Sequence, residues 1–246
     1  MSKQNRTTER AERAERAAAA LREQERAERR RRNLMVGGVV VAILVIVAAG
    51  YLISRAMDTT TKVSAAGAGS TYGVTVGPSN APHEVVVYED FLCPFCGELE
   101  KATRDDLSRL AADGKVRVEY RPFNLLSAAG DYSARSAGAF SIVLDKSGPE
   151  VAKKFHDLLY ENQPSESGPF PDDAALVKLA VQAGAPESQV RGPIESDAAK
   201  GWVTRATQAA LDAGVRGTPT VLLDGKLFQD GRTMDELGAN LVAKVQ

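Results

Sequence analysis

Residues 34–53 run about twenty positions without a charge, and at a helical rise of roughly 1.5 Å per residue such a run matches a hydrocarbon core about 30 Å thick. The pattern predicts a transmembrane helix over 34–54. Further on, Val85-Val86-Val87-Tyr88 is a short apolar run rich in β-branched residues, as expected of a strand covered on both faces. Leu99, Ala102, Leu107 and Leu110 then share one face of a helix that stops at Asp113-Gly114. Over 115–120, Val116, Val118 and Tyr120 alternate with Arg117 and Glu119, which predicts a strand with one exposed face.

From 127 to about 213 the apolar spacing is helical. It passes through Phe140, Val143 and Leu144, then Phe155, Leu158 and Leu159, then Leu176, Leu179 and Ala183, then Trp202, Ala206 and Ala210. Pro149, Pro164, Pro171 and Pro186 divide it into short helices. Strand character returns at 220–223, turns at Asp224-Gly225 and resumes over 226–229, and 235–245 closes as a helix. Strand, helix, strand, helical block, hairpin, helix is an α/β order with a helical insertion.

Charge changes the picture only at the N-terminus. Residues 1–32 hold eleven Lys and Arg against six Glu, so the rest of the chain is net acidic by about six charges. Repeats such as Glu9-Arg10-Ala11 and Glu12-Arg13-Ala14 end in Arg29-Arg30-Arg31-Arg32 and read as a solvated, partly helical basic tail over 1–33. Arginines stay on the cytoplasmic side, which sends the C-terminal bulk across the membrane. A cleaved signal peptide competes, with weak cleavage sites in Val47-Ala48-Ala49-Gly50, but the long basic region and full-length apolar run favour a retained anchor. Residues 55–70 read as a flexible linker and 71–246 as the folded domain, with its insertion at about 127–213. The acidic remainder has no basic stripe interleaved with aromatics, which argues against nucleic acid as a partner.

The only two cysteines lie in Cys93-Pro94-Phe95-Cys96. A disulfide closing so short a loop removes little unfolded-state freedom, so the pair is there to react. A strand feeding a helix puts Cys93 at the helix N-terminus, where unpaired N–H groups favour thiolate, and Pro94 suits the first helical turn. Cys93 is then the attacking or attacked sulfur, and the less accessible Cys96 resolves the mixed disulfide. Zinc would need four ligands, and the chain offers no second cysteine pair. His83 and His156 carry no motif and read as surface or partly packed side chains. Glu89, Asp90 and Glu98 flank the dithiol and read as solvated carboxylates, with proton shuttling the alternative. Without a nucleotide-binding glycine loop or metal cluster, no cofactor is predicted.

The segment Tyr88-Glu89-Asp90-Phe91-Leu92-Cys93-Pro94-Phe95-Cys96, with Gly214-Val215-Arg216-Gly217-Thr218-Pro219-Thr220-Val221, resembles the DsbA-like branch of thioredoxin-fold thiol:disulfide oxidoreductases, including membrane-tethered bacterial forms, over about 72–246. The resemblance implies a thioredoxin-like fold, with Pro219 cis beside the dithiol and the Thr218 backbone open to an extended client segment. Two positions depart from the family. Phe95 stands where strong oxidants often have His, and Val87 stands six residues before Cys93, where an acidic residue is common. Proton transfer to Cys96 then falls to water or a flanking carboxylate.

The expected function is an extracytoplasmic oxidase, anchored by one N-terminal transmembrane helix, that donates the Cys93–Cys96 disulfide to cysteine-containing secreted or envelope proteins. The resemblance implies reoxidation by a quinone-linked membrane partner, and the arginine tail suits anionic lipid. A tethered reductase or isomerase and a non-catalytic client-binding module are the alternatives.

Overall fold

The computed structural model describes residues 72–246. The expectations for the basic tail, the transmembrane helix and the linker fall outside those residues. Among the described residues no helix is long and apolar enough to cross a membrane.

Five strands make one sheet: β1 (Val74–Val76), β2 (His83–Glu89), β3 (Val116–Pro122), β4 (Thr220–Leu223) and β5 (Lys226–Leu227), in the order β1-β3-β2-β4-β5. Strand β2 lies in the middle, parallel to β3 and antiparallel to β4, with Val87 opposite Tyr120 on one side and Val221 on the other. Its position follows from its residues. Val85 and Val87 join Leu99 and Leu107 of α1 (Pro94–Ala112) and Leu241 of α6 (Met234–Lys244) in the main core. Val86 and Tyr88, alternating to the other face, join Phe123, Ala210, Val215 and Leu222. Helix α1 supplies the crossover that two parallel neighbours require. It packs closely on α6 because Gly238 has no side chain: a Cβ there would lie 2.9 Å from Thr103 Cγ2 and 3.0 Å from Ala102 Cβ.

Between β3 and β4 lies the helical insertion: α2 (Tyr132–Glu161), α3 (Asp173–Ala183), α4 (Glu187–Ile194), a 3-10 turn (Asp197–Ala199) and α5 (Lys200–Asp212). Helix α2 breaks at Gly148, whose φ of 81° is left-handed, and Pro149 opens its second half.

Two expectations change, and one strand is added. The polar face of β3 is buried: Glu119 is 1 % and Arg121 4 % exposed. The end of α5 and Val215 cover that face, and the two charges, on the same side of one strand, satisfy each other. Arg121 Nε and Nη2 donate to Glu119 at 2.9 and 3.0 Å, and Nη1 donates to Tyr88 OH at 2.7 Å. The hairpin is shorter than 226–229, because β5 ends at Leu227. Strand β1, which extends the sheet antiparallel beyond β3, carries no legible sequence pattern in its three residues.

Candidate active site

The end of β2 and the start of α1 meet at the cysteines. Cys93 is the N-cap of α1, with extended backbone (φ −70°, ψ 117°), and Pro94 takes the first helical position. The Cys93 carbonyl accepts from the N–H groups of Cys96 at 3.1 Å and Gly97 at 3.2 Å. Facing them is the loop into β4, where the Thr218–Pro219 peptide is cis. Cys93 Sγ donates to the Thr218 carbonyl at 3.3 Å, and Cys96 Sγ lies 2.8 Å from Thr218 Oγ1. Cys93, Cys96, Thr218 and Pro219 are thus brought together, with both thiols free. Pro94 and Phe95 form an exposed apolar shoulder beside them, Phe95 at 55 %.

The two sulfurs differ chemically. The hydrogen bond from the Cys96 thiol, helped by the backbone N–H groups of Cys96 and Phe95, lowers Cys93 to about 7 against burial and the nearby Asp90 charge. Cys96 is pushed well above the ordinary thiol range, first by burial and then by its bond to Cys93 and that sulfur's charge. The direction matches the helix-terminus argument, but the largest cause is the partner thiol. At neutral pH Cys93 is about half thiolate and Cys96 is protonated, the division that exchange needs: one sulfur attacks, the other waits to resolve.

The acidic residues around the dithiol are not where the sequence pattern puts them. Glu98 is exposed, but Glu89 is 2 % and Asp90 0 % exposed. His156, read as a surface or partly packed side chain, is completely buried. Its Nε2 lies 2.7 Å from Glu89 Oε1, and its Nδ1 is 3.0 Å from Asp157 and 3.7 Å from Glu100. His83 is exposed enough to fit its reading, and pairs with Asp224 at 3.1 Å. Burial works against a charged His156, but Glu89 and then Glu100 outweigh it and raise the group to about 9. Glu100 is itself raised by burial. Glu100, His156 and Asp157 bring ligand-type atoms within 4.8 Å of one another. Lys153 already pairs with both carboxylates, so the cluster supplies its own cation.

Glu89, Glu100, Cys96, Val87, Tyr120 and Pro219 line a small cavity with about 10 Å³ of room for the centre of a water molecule, roughly what one water needs. Cys96 thus shares a cavity with two buried carboxylates, although Val87 occupies the position six residues before Cys93. Glu100 lies four residues after Cys96, one helical turn along the same face. That spacing was the available signal for it; nothing local marks His156.

Asp90 holds the turn itself. Its carboxylate accepts from the N–H groups of Leu92, Leu125 and Leu126 and from Ser133 Oγ, at 2.7–2.9 Å. Asp90→Asn sets an amide against these donors. It should cost about 1–3 kcal/mol in urea unfolding, and it should lower Cys93 further, because the Asp90 charge raises it. An unchanged thiolate titration in that variant would refute the electrostatic part of this account.

The chain is similar to known proteins in sequence and in fold. A family model described as thioredoxin matches residues 70–242. Among solved structures, the chain is similar to the reduced disulfide bond oxidoreductase DsbG of Mycobacterium tuberculosis. The two are 34 % identical, over 75 % of this chain and 90 % of that one, with a TM-score of 0.62. It is also similar to DsbA of the same organism, at 32 % identity over 71 % of this chain and 90 % of that one, with a TM-score of 0.60. A curated relative, the serine/threonine-protein kinase PknE of M. tuberculosis, is 29 % identical over 170 residues, which are 64 % of this chain but only 30 % of the kinase. The chain thus spans less than a third of that relative's length. With the family model covering more than half of the chain and a similar protein covered almost end to end, the chain belongs to the thioredoxin family, in its DsbA-like branch of thiol:disulfide oxidoreductases.

Proposed function

We propose that this chain is an extracytoplasmic oxidase that passes the Cys93–Cys96 disulfide to cysteine-containing secreted or envelope proteins. The observation that carries exchange chemistry, in either redox direction, is the asymmetry of the two sulfurs at the start of α1, Cys93 lowered to about 7 and Cys96 raised, facing Thr218; donation rather than reduction rests on the likeness to the DsbA-like branch. A client thiolate attacks Cys93 of the closed disulfide, forming the mixed disulfide and releasing Cys96. A second client thiolate then displaces Cys93, so the client gains a disulfide and the chain is left as the dithiol. The exposed Pro94-Phe95 shoulder suits unfolded clients, which present apolar side chains, and the Thr218 backbone suits an extended segment. The uncharged run 34–53 supports a single membrane anchor with the basic tail in the cytoplasm against anionic lipid. A quinone-linked membrane protein would reopen the cycle by taking electrons from the dithiol.

A reductase or isomerase role is the second reading, and one observation favours it. A Cys93 value of about 7 lies at the thioredoxin end of the range rather than the roughly 3.5 of a strong oxidant. The reduction potential against defined glutathione ratios decides. A value near about −120 mV supports disulfide donation, and one near about −270 mV overturns it in favour of reduction.

A further inference from the structure

The last turn of α2 reaches back to the reactive turn. Gln163, just past the Asn162 C-cap, donates through Nε2 to the carbonyls of Phe91 and Cys93, both at 2.9 Å. One turn earlier, Tyr160 OH approaches the Asp90 carbonyl at 3.5 Å, its ring packed 5.2 Å from that of Phe91. Three carbonyls of the 90–93 segment therefore face side chains of the insertion. The space for this comes from Gly97. Its backbone is ordinary helix, and glycine is unfavourable inside a helix, so conformational freedom does not account for it. Room does: a Cβ on Gly97 would lie 2.4 Å from Gln163 Oε1.

We propose that Gln163 is a positioning residue for thiol–disulfide exchange. Its carboxamide, seated in the space left by Gly97, holds the Cys93 carbonyl so that the first turn of α1 stays aimed at Cys93 Sγ. The N–H groups of Phe95 and Cys96 that stabilise the Cys93 thiolate belong to that turn, and the Cys93 carbonyl is the point at which helix and insertion both grip it. The titratable groups acting on Cys93 are Cys96 on α1 and Asp90 after β2, and a Gln163 variant replaces neither.

The test uses the full chain. Gln163→Ala should raise Cys93, followed by its thiolate ultraviolet absorbance, by about one unit. That cuts the thiolate fraction at pH 7 about five-fold while making each thiolate about three times more nucleophilic, for a Brønsted coefficient of about 0.4–0.5. Exchange with a small aromatic disulfide should then be about two-fold slower at pH 7 and about three-fold faster near pH 10. Gly97→Ala, with Gln163 intact, should reproduce the crossover, and the double variant should add nothing to Gln163→Ala. General structural damage slows exchange at every pH, so a uniform loss, or a profile that superimposes on the parent's, overturns the proposal. The inference rests on the exchange activity proposed above, but thiolate titration needs no client. A shifted Cys93 in a chain with no exchange activity would support the positioning role while sinking that activity.

Discussion

Cys96→Ala should accumulate a reducible adduct with any accessible disulfide-bearing protein through Cys93, whereas Cys93→Ser should form none and reduce exchange to background. The first step needs only the Cys93 thiolate; release needs a second sulfur inside the chain, and Cys96, bonded to Thr218 beside it, is the one that can attack the mixed disulfide. The structure adds a condition. The Cys96 thiol is the largest contributor to the lowered Cys93 value, so its removal should raise Cys93, and the adduct should form faster above about pH 8 than at pH 7. A gel shift abolished by reductant reads both variants. If client association survives Cys93→Ser undiminished and no adduct forms in Cys96→Ala, the chain is a binding module whose thiols are incidental.

The parts of this site that were legible in sequence are those whose causes are local. An apolar run of three valines and a tyrosine reads as a buried strand, and a Cys-x-x-Cys after it lands on a helix N-terminus by connectivity. Thr218 and Pro219 lie more than a hundred residues away, and only the resemblance placed them beside the dithiol. What stayed hidden depends on packing partners. Arg117 and Glu119 share one face of an alternating strand, yet only Glu119 lies at the level where Val86, Ala210 and Val215 pack, and its ion pair with Arg121 makes that burial tolerable. Strand β1 is too short for a period to show. The second hairpin strand stops at Leu227, and beyond it Gly231 lies so close to α6 that a Cβ there would be 2.4 Å from the Leu237 amide nitrogen, a tertiary approach that no local pattern announces. His156 and Gln163 reach the site only through the fold of the insertion, from positions about seventy residues beyond Glu89 and Phe91.

Glu89→Leu should cost about 3–5 kcal/mol at pH 6, the range for a buried pair that loses one member, and the loss should shrink as the pH rises. The sign follows from His156. Its folded value of about 9 lies above its unfolded value of about 6.5, so the folded chain holds a proton that the unfolded chain releases. The associated stability is fully present below pH 6.5 and is lost as the pH rises through about 9, a span worth about 3 kcal/mol. Glu100, also raised, acts with the same sign. Asp157, lowered to about 2, acts with the opposite sign but in a separate window: its contribution is present above about 3.8 and is lost as the pH falls through about 2. Cys93 would interfere. Lowered to about 7, it adds stability as the pH rises from 7 to 9, so the measurement requires the Cys93–Cys96 disulfide closed. Under that condition urea unfolding of the parent chain should weaken steadily from pH 6 to 9.5, while Glu89→Leu should start lower and fall with a shallower slope, because Glu100 and Asp157 still act on His156. Parallel pH slopes in the two chains would show that His156 is neutral in the folded state, and that burial prevails over its carboxylate neighbours.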